Sequence, residues 1–112
     1  MYKSVEGYNM KFSDYTLFIM QDGTVKVCGD NRHGQLGLGH RNTPVSTVTD
    51  LPLTGVKDIV CGSNHTFFIM QDGTIKCCGY NRYGQLGLGF TTPDPYAYPT
   101  VTDLPFTGVK NI

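Results

Sequence analysis

Two stretches of this chain are almost the same sequence, and that duplication restricts the fold more than any other feature. Residues 18–39 read FIMQDGTVKVCGDNRHGQLGLG and residues 68–89 read FIMQDGTIKCCGYNRYGQLGLG, an offset of 50 with 18 of 22 positions identical. A second block, TVTDLPLTGVKDI at 47–59, returns as TVTDLPFTGVKNI at 100–112, an offset of 53 with 11 of 13 identical. The three extra residues fall in the connector, where HRNTPVS (40–46) becomes FTTPDPYAYP (90–99). A period near 50 residues excludes leucine-rich, ankyrin and tetratricopeptide arrays, whose units are shorter.

Within the second copy, Phe67–Met70 and Ile75–Cys78 are short apolar runs flanking Gln71-Asp72-Gly73-Thr74. An Asp-Gly pair between such runs signals a hairpin, and a type I′ turn is expected at both Asp22-Gly23 and Asp72-Gly73. The runs are nearly continuous in apolar residues, which implies a sheet covered on both faces. Gly79–Gly89 is too rich in glycine for a helix and reads as a structured loop. Tyr98–Leu104 reads as a third strand stopped by Pro105. Gly55–Cys61 reads as a fourth, the inner strand of the following unit. No window of 11 residues carries helical periodicity. The expected fold is all-β: two four-stranded antiparallel propeller blades forming one partial β-propeller over 1–112, with repeats at 13–62 and 63–112. Of the differences between copies, Val25/Ile75 and Val27/Cys77 exchange apolar residues, as inside a sheet. Asp30/Tyr80 and His33/Tyr83 change character, as at a surface.

The string Asp-Gly-Thr-(Val/Ile)-Lys-x-Cys-Gly-x-Asn-x-x-Gly-Gln-Leu-Gly-Leu-Gly resembles the signature of the regulator of chromosome condensation (RCC1-type) repeat. Gly62-Ser63-Asn64-His65-Thr66 resembles the Gly/His element that precedes the hairpin in that family. The resemblance covers about residues 13–112 and implies a propeller, usually of seven blades, that acts by binding proteins. Three departures stand out, the largest being that two repeats cannot close a seven-bladed ring. Cys28 and Cys78 occupy positions where family members commonly have Trp, and Phe12-Ser13-Asp14-Tyr15 replaces the Gly/His element in the first copy, so its leading strand reads as degenerate. The absence of tryptophan disfavours the ultraviolet-receptor activity known in the family.

Composition narrows the function classes. Nine basic and nine acidic residues give zero formal net charge, so no broad attraction to nucleic acid or anionic membrane is expected. No apolar stretch approaches the ~18 residues of a membrane helix. MYKSVEGYNMKF lacks the apolar core of a signal peptide, leaving the cytoplasm as the default location. The four cysteines, Cys28, Cys61, Cys77 and Cys78, then read as reduced thiols. Adjacent Cys77 and Cys78 should point to opposite faces of a strand, which suits small buried hydrophobes better than zinc ligands. The glycine run 34–39 has no Lys-Ser/Thr after it and recurs at 84–89, so it reads as a tight turn and not a phosphate cradle. His65 reads as a residue hydrogen-bonded to neighbouring backbone and fixing the blade. Polar residues come in duplicate (Asp22/Asp72, Asn31/Asn81, Arg32/Arg82), which favours structural roles over a single active site. No catalytic, cofactor-binding or metal residues are assigned, and the chain is expected to be non-enzymatic.

The expected function is a protein-interaction scaffold. Arg32, His33, Arg82 and Tyr83 lie in equivalent loops and are of the types that anchor interfaces. The longer connector adds Phe90, Tyr96 and Tyr98 to this candidate partner-binding set. The resemblance also raises guanine-nucleotide exchange on a GTPase, and the duplication itself raises a structural building block. Repeat units contact their neighbours and need caps at their ends. None is evident here, and Ile112 aligns with Ile59, inside an inner strand. Two readings follow. Gly108–Ile112 of one chain is donated to the first blade of the next, closing a homo-oligomeric ring of three or four chains. Alternatively, the chain is a piece of a longer protein.

Overall fold

Both Asp-Gly pairs sit at hairpin tips, but in a different turn from the one expected. Met20 O accepts from Gly23 N at 3.0 Å, and Met20 N donates to Thr24 O at 2.8 Å. The glycines alone take positive φ there, +84° at Gly23 and +86° at Gly73. Each tip is therefore a three-residue loop, a type I turn closed by a left-handed glycine. The cause is the aspartate side chain. Asp22 Oδ1 accepts from Thr24 N at 3.0 Å and Thr24 Oγ1 at 2.6 Å, and Asp72 repeats this with Thr74. That local bonding stabilises the turn, and the left-handed position passes to the residue without a Cβ.

The computed structural model describes residues 2–9 and 13–112, with side chains from Tyr15 onward. Eight strands form two sheets. The first contains β1 (Tyr2–Asn9), β2 (Ser13–Met20), β3 (Val25–Gly29) and β4 (Val45–Leu51). The second contains β5 (Val56–Cys61), β6 (His65–Met70), β7 (Ile75–Tyr80) and β8 (Ala97–Asp103). Every pairing is antiparallel between consecutive strands. The all-β architecture of two four-stranded blades is what the chain adopts. The sheets are offset from the sequence units 13–62 and 63–112, because β5 closes the first unit in sequence and opens the second sheet in space.

Two expectations about the ends of the array are corrected. The leading strand of the first blade is not degenerate: β2 is eight residues long and pairs on both edges. The inner position of that blade is filled by β1, with Tyr2 opposite Met20 and Asn9 opposite Ser13. A donated Gly108–Ile112 therefore finds its seat occupied, and those residues lie in no strand. Phe12, part of the element read as degenerate, lies outside the described residues.

The core sits between the two blades. On one face of the first blade Tyr15, Leu17, Ile19, Val25 and Val27 are buried, and from the second blade Phe68, Met70 and Cys78 close against them. Three features lock the joint. Tyr15 Oη donates to Gly62 O at 3.0 Å and His65 O at 2.9 Å. Gln35 O accepts from Thr66 Oγ1 at 2.8 Å and Cys78 Sγ at 3.4 Å. The glycine-rich loop of the first blade lies on β8, with Gly39 N donating to Pro99 O at 3.0 Å and Leu38 bridging Thr100. The approach is so close that a Cβ on Gly34 would fall 2.4 Å from Pro99 Cα. Here glycine is required both by space and by φ of +73°.

Candidate protein-binding surface

The surface is built on two buried asparagines. Asn31 and Asn81 follow β3 and β7 and are fully buried. Asn31 Oδ1 accepts from Leu36 N at 3.2 Å, while its Nδ2 donates to His40 O at 2.9 Å and Asn42 O at 3.2 Å. Asn81 holds Leu86 N, Phe90 O and Thr92 Oγ1 in the same way. One side chain thus pins a whole loop from inside, driving Leu36 and Leu86 into the core and residues 32–33 and 82–83 outward. The glycine run is the turn its composition suggested.

The longer connector is absorbed at one backbone group. Asn31 N donates to Thr43 Oγ1 at 3.0 Å, whereas Asn81 N donates to Tyr96 O at 2.8 Å. Tyr96 stands at φ +65°, the one non-glycine residue at positive φ among the described residues. This places its ring beside the loop that follows β7.

The candidate residues fall into two groups, with Arg32 apart from both. Arg82, Tyr83 and Tyr96 come together: the Arg82 guanidinium lies 4.7 Å from the Tyr96 ring centre and 5.3 Å from that of Tyr83. His33 joins them through a residue that sequence reasoning missed. Tyr80 meets His33 edge-on at 4.7 Å, Tyr96 at 6.0 Å and Tyr83 at 6.4 Å. The hydroxyl of Tyr80 and the neighbouring Tyr83 and Tyr96 hold that guanidinium above its ordinary pKa. Phe90 and Tyr98 form a separate tilted pair at 6.0 Å. Tyr83 is 74% exposed and Phe90 49%.

Arg32 belongs to neither group. Asp30, expected at the surface, is 4% exposed and carries a forked contact to Arg32: Nε donates to Oδ1 at 3.1 Å and Nη2 to Oδ2 at 3.2 Å. A carboxylate that deep needs a charged partner, and Arg32 supplies it. The Asp30/Tyr80 exchange is therefore a change of arginine partner. A carboxylate ties one arginine down, while tyrosines surround the other and leave it exposed. The contrast between copies was visible in the sequence, but its meaning depended on which side of the strand end faces in.

The remaining singled-out residues serve the joint. His65 contributes its carbonyl to Tyr15 and Gly62 N, and its ring lies edge-on to Phe67 and over Gly62. Burial pushes the imidazoles of His33 and His65 below their ordinary range. Cys78 faces the joint and Cys77 the opposite side of β7, both fully buried. Burial lifts the Cys61 and Cys77 thiols to about 11, so neither is a nucleophile near neutral pH.

Two models of the regulator of chromosome condensation (RCC1) repeat match the chain, at residues 22–69 and 56–85. No curated protein matches it. Among solved structures, a chain in the crystal structure of Kap60 bound to yeast RCC1 (Prp20) is similar with a TM-score of 0.71 and 25% identity, covering 84% of this chain and 21% of that one. Human WBSCR16 is similar with a TM-score of 0.67 and 25% identity, covering 80% and 23%. Prp20p from Saccharomyces cerevisiae, whose structure is described with its binding to Gsp1p and histones, is similar with a TM-score of 0.69 and 20% identity, covering 81% and 24%. The chain thus spans between a fifth and a quarter of the length of these proteins. A repeat matched twice, folded into two consecutive blades with the same loop clamp in each, places this chain in the family of RCC1-repeat β-propeller proteins.

Proposed function

We propose that the chain is a non-enzymatic protein-interaction module whose second loop, around Arg82, Tyr83 and Tyr96, anchors a protein partner. The observation that carries this reading is an exposed arginine held between tyrosine rings on a rigid, Asn81-clamped loop. Tyrosine and arginine are the residue types enriched at binding hot spots. A guanidinium already oriented by its neighbours loses less freedom on binding than a free one. The chemistry fits a partner surface that offers a carboxylate to Arg82 and an apolar or aromatic group to Tyr83. The similar structures include a protein bound to Kap60 and one described with binding to Gsp1p and histones, which supports protein binding as the mode of action.

The test is affinity capture from the source cell extract with the whole chain and with the Arg82→Ala/Tyr83→Ala variant. Proteins captured by the native chain should bind the variant at least about tenfold more weakly. Undiminished capture by the variant rejects the site. Guanine-nucleotide exchange on a GTPase, the second reading, predicts faster release of a labelled guanine nucleotide from a captured GTPase when the chain is added. The scaffold reading predicts no change in that rate.

A further inference from the structure

The joint between the two blades is a contact between a forward face and a back face, and the described residues leave one more of each partly uncovered. The forward face of the first blade carries Tyr15, Leu17 and Ile19, at 1%, 0% and 8% exposure. At the same positions of the second blade His65, Phe67 and Ile69 are half-exposed, while Ile75 and Cys77 beside them on that face are buried. The back face of the second blade presents buried Thr66 and Cys78 to Gln35 O. Its counterparts on the first blade, Thr16 and Cys28, are half-exposed, as is Gln85, the counterpart of Gln35. On the outer strands, Val101 packs against Gly37, whereas its counterpart Val48 on β4 is 51% exposed. Gly34 is pressed onto Pro99, whereas a Cβ on Gly84 would meet nothing nearer than Phe90 O at 3.8 Å.

We infer that copies of this chain associate head to tail. The forward face of the second blade in one copy seats on the back face of the first blade in the next, reproducing the joint each chain builds internally. The occupant is a second copy because counterparts of both halves of the joint are on one molecule, at opposite ends, in nearly the same sequence, with His65 standing where Tyr15 supplies its hydroxyl. Gln85 O meets Thr16 Oγ1 and Cys28 Sγ of the neighbour, the loop 84–89 lies along the neighbour's β4, and Val48 fills the space over Gly87. Such a contact is heterologous and adds copies in one direction. No strand is exchanged, since β1 already completes the first blade. This inference rests on the sheet faces and on residues 84–89 of the second loop, and it makes no use of the Arg82, Tyr83 and Tyr96 side chains.

Sedimentation velocity on the whole chain from about 1 to about 200 µM tests it. The expected result is a weight-average mass that rises with concentration. Val48→Asp blocks the back face, and Gly84→Ala blocks the forward face by placing a methyl against the neighbour's β4. Each alone should sediment as a monomer with an unchanged far-ultraviolet circular dichroism spectrum. Mixed in equal amounts, they should form a dimer and nothing larger, because one intact face remains on each. A monomeric native chain across the range overturns the inference. So does association that survives either substitution, or failure of the folded variants to complement each other.

Discussion

At the residue scale, the asparagine clamps decide the loops. Asn81 is fully buried, and replacing it by Ala strands Leu86 N inside the protein and releases the carbonyl of Phe90. Asn81→Ala should cost about 2–3 kcal/mol, read as a lower urea midpoint with unchanged slope. The buried imidazoles set an acid limit. His33 and His65 ionise below their ordinary range because burial disfavours the charged ring, partly offset at His33 by Asp30. Once unfolded, both take up protons near pH 6.5. The unfolded state thus binds more protons as pH falls through that value, and stability falls with it. Thermal midpoints should drop between about pH 7 and pH 5, before the exposed turn aspartates protonate, and His33→Asn should flatten the slope.

At the scale of elements, two glycine-rich loops of nearly identical sequence stand in different surroundings, which makes them a matched pair. Gly34 and Gly84 have φ of +73° and +77°, so a methyl strains the backbone equally at both. Only Gly34 also lies against Pro99, at 2.4 Å. Gly84→Ala should cost about 1 kcal/mol, the left-handed penalty alone. Gly34→Ala should cost about 3 kcal/mol or more, because the blades must part to admit the methyl. Equal losses in urea denaturation would mean that the joint is looser than the structure shows. The two arginine loops differ in a parallel way. Asp30 fixes Arg32, and replacing that arginine would leave a buried carboxylate uncompensated, whereas Arg82 stands outside the core and its loss should be felt in binding.

At the scale of the whole molecule, two blades share one core, and each outer face resembles a surface that is buried at the centre. That asymmetry explains why Val48 and Phe67 are exposed or half-exposed while their counterparts Val101 and Leu17 are more deeply packed. It also relates the two proposals. Partner binding belongs to the side chains of Arg82, Tyr83 and Tyr96, and self-association to the sheet faces with residues 84–89. Val48→Asp should therefore abolish the concentration-dependent mass while leaving Arg82-dependent capture intact.

Much of this was legible in the chain itself. The duplicated block fixes the unit, the Asp-Gly pairs fix the hairpin tips, and the stop at Pro105 fixes the end of β8, because turn chemistry and short apolar runs are local properties. The packing of the glycine run as a turn was equally plain, since no helix tolerates it. Tertiary structure decided the rest. Tyr2–Asn9 has no repeat partner in the sequence, so only pairing with β2 shows that it completes the first blade. The turn is type I with a left-handed glycine because the aspartate bonds the following threonine. Asp30 is buried and Tyr80 gathers an aromatic cluster because the end of each third strand faces the neighbouring loop, a fact of packing that a single sequence does not encode position by position.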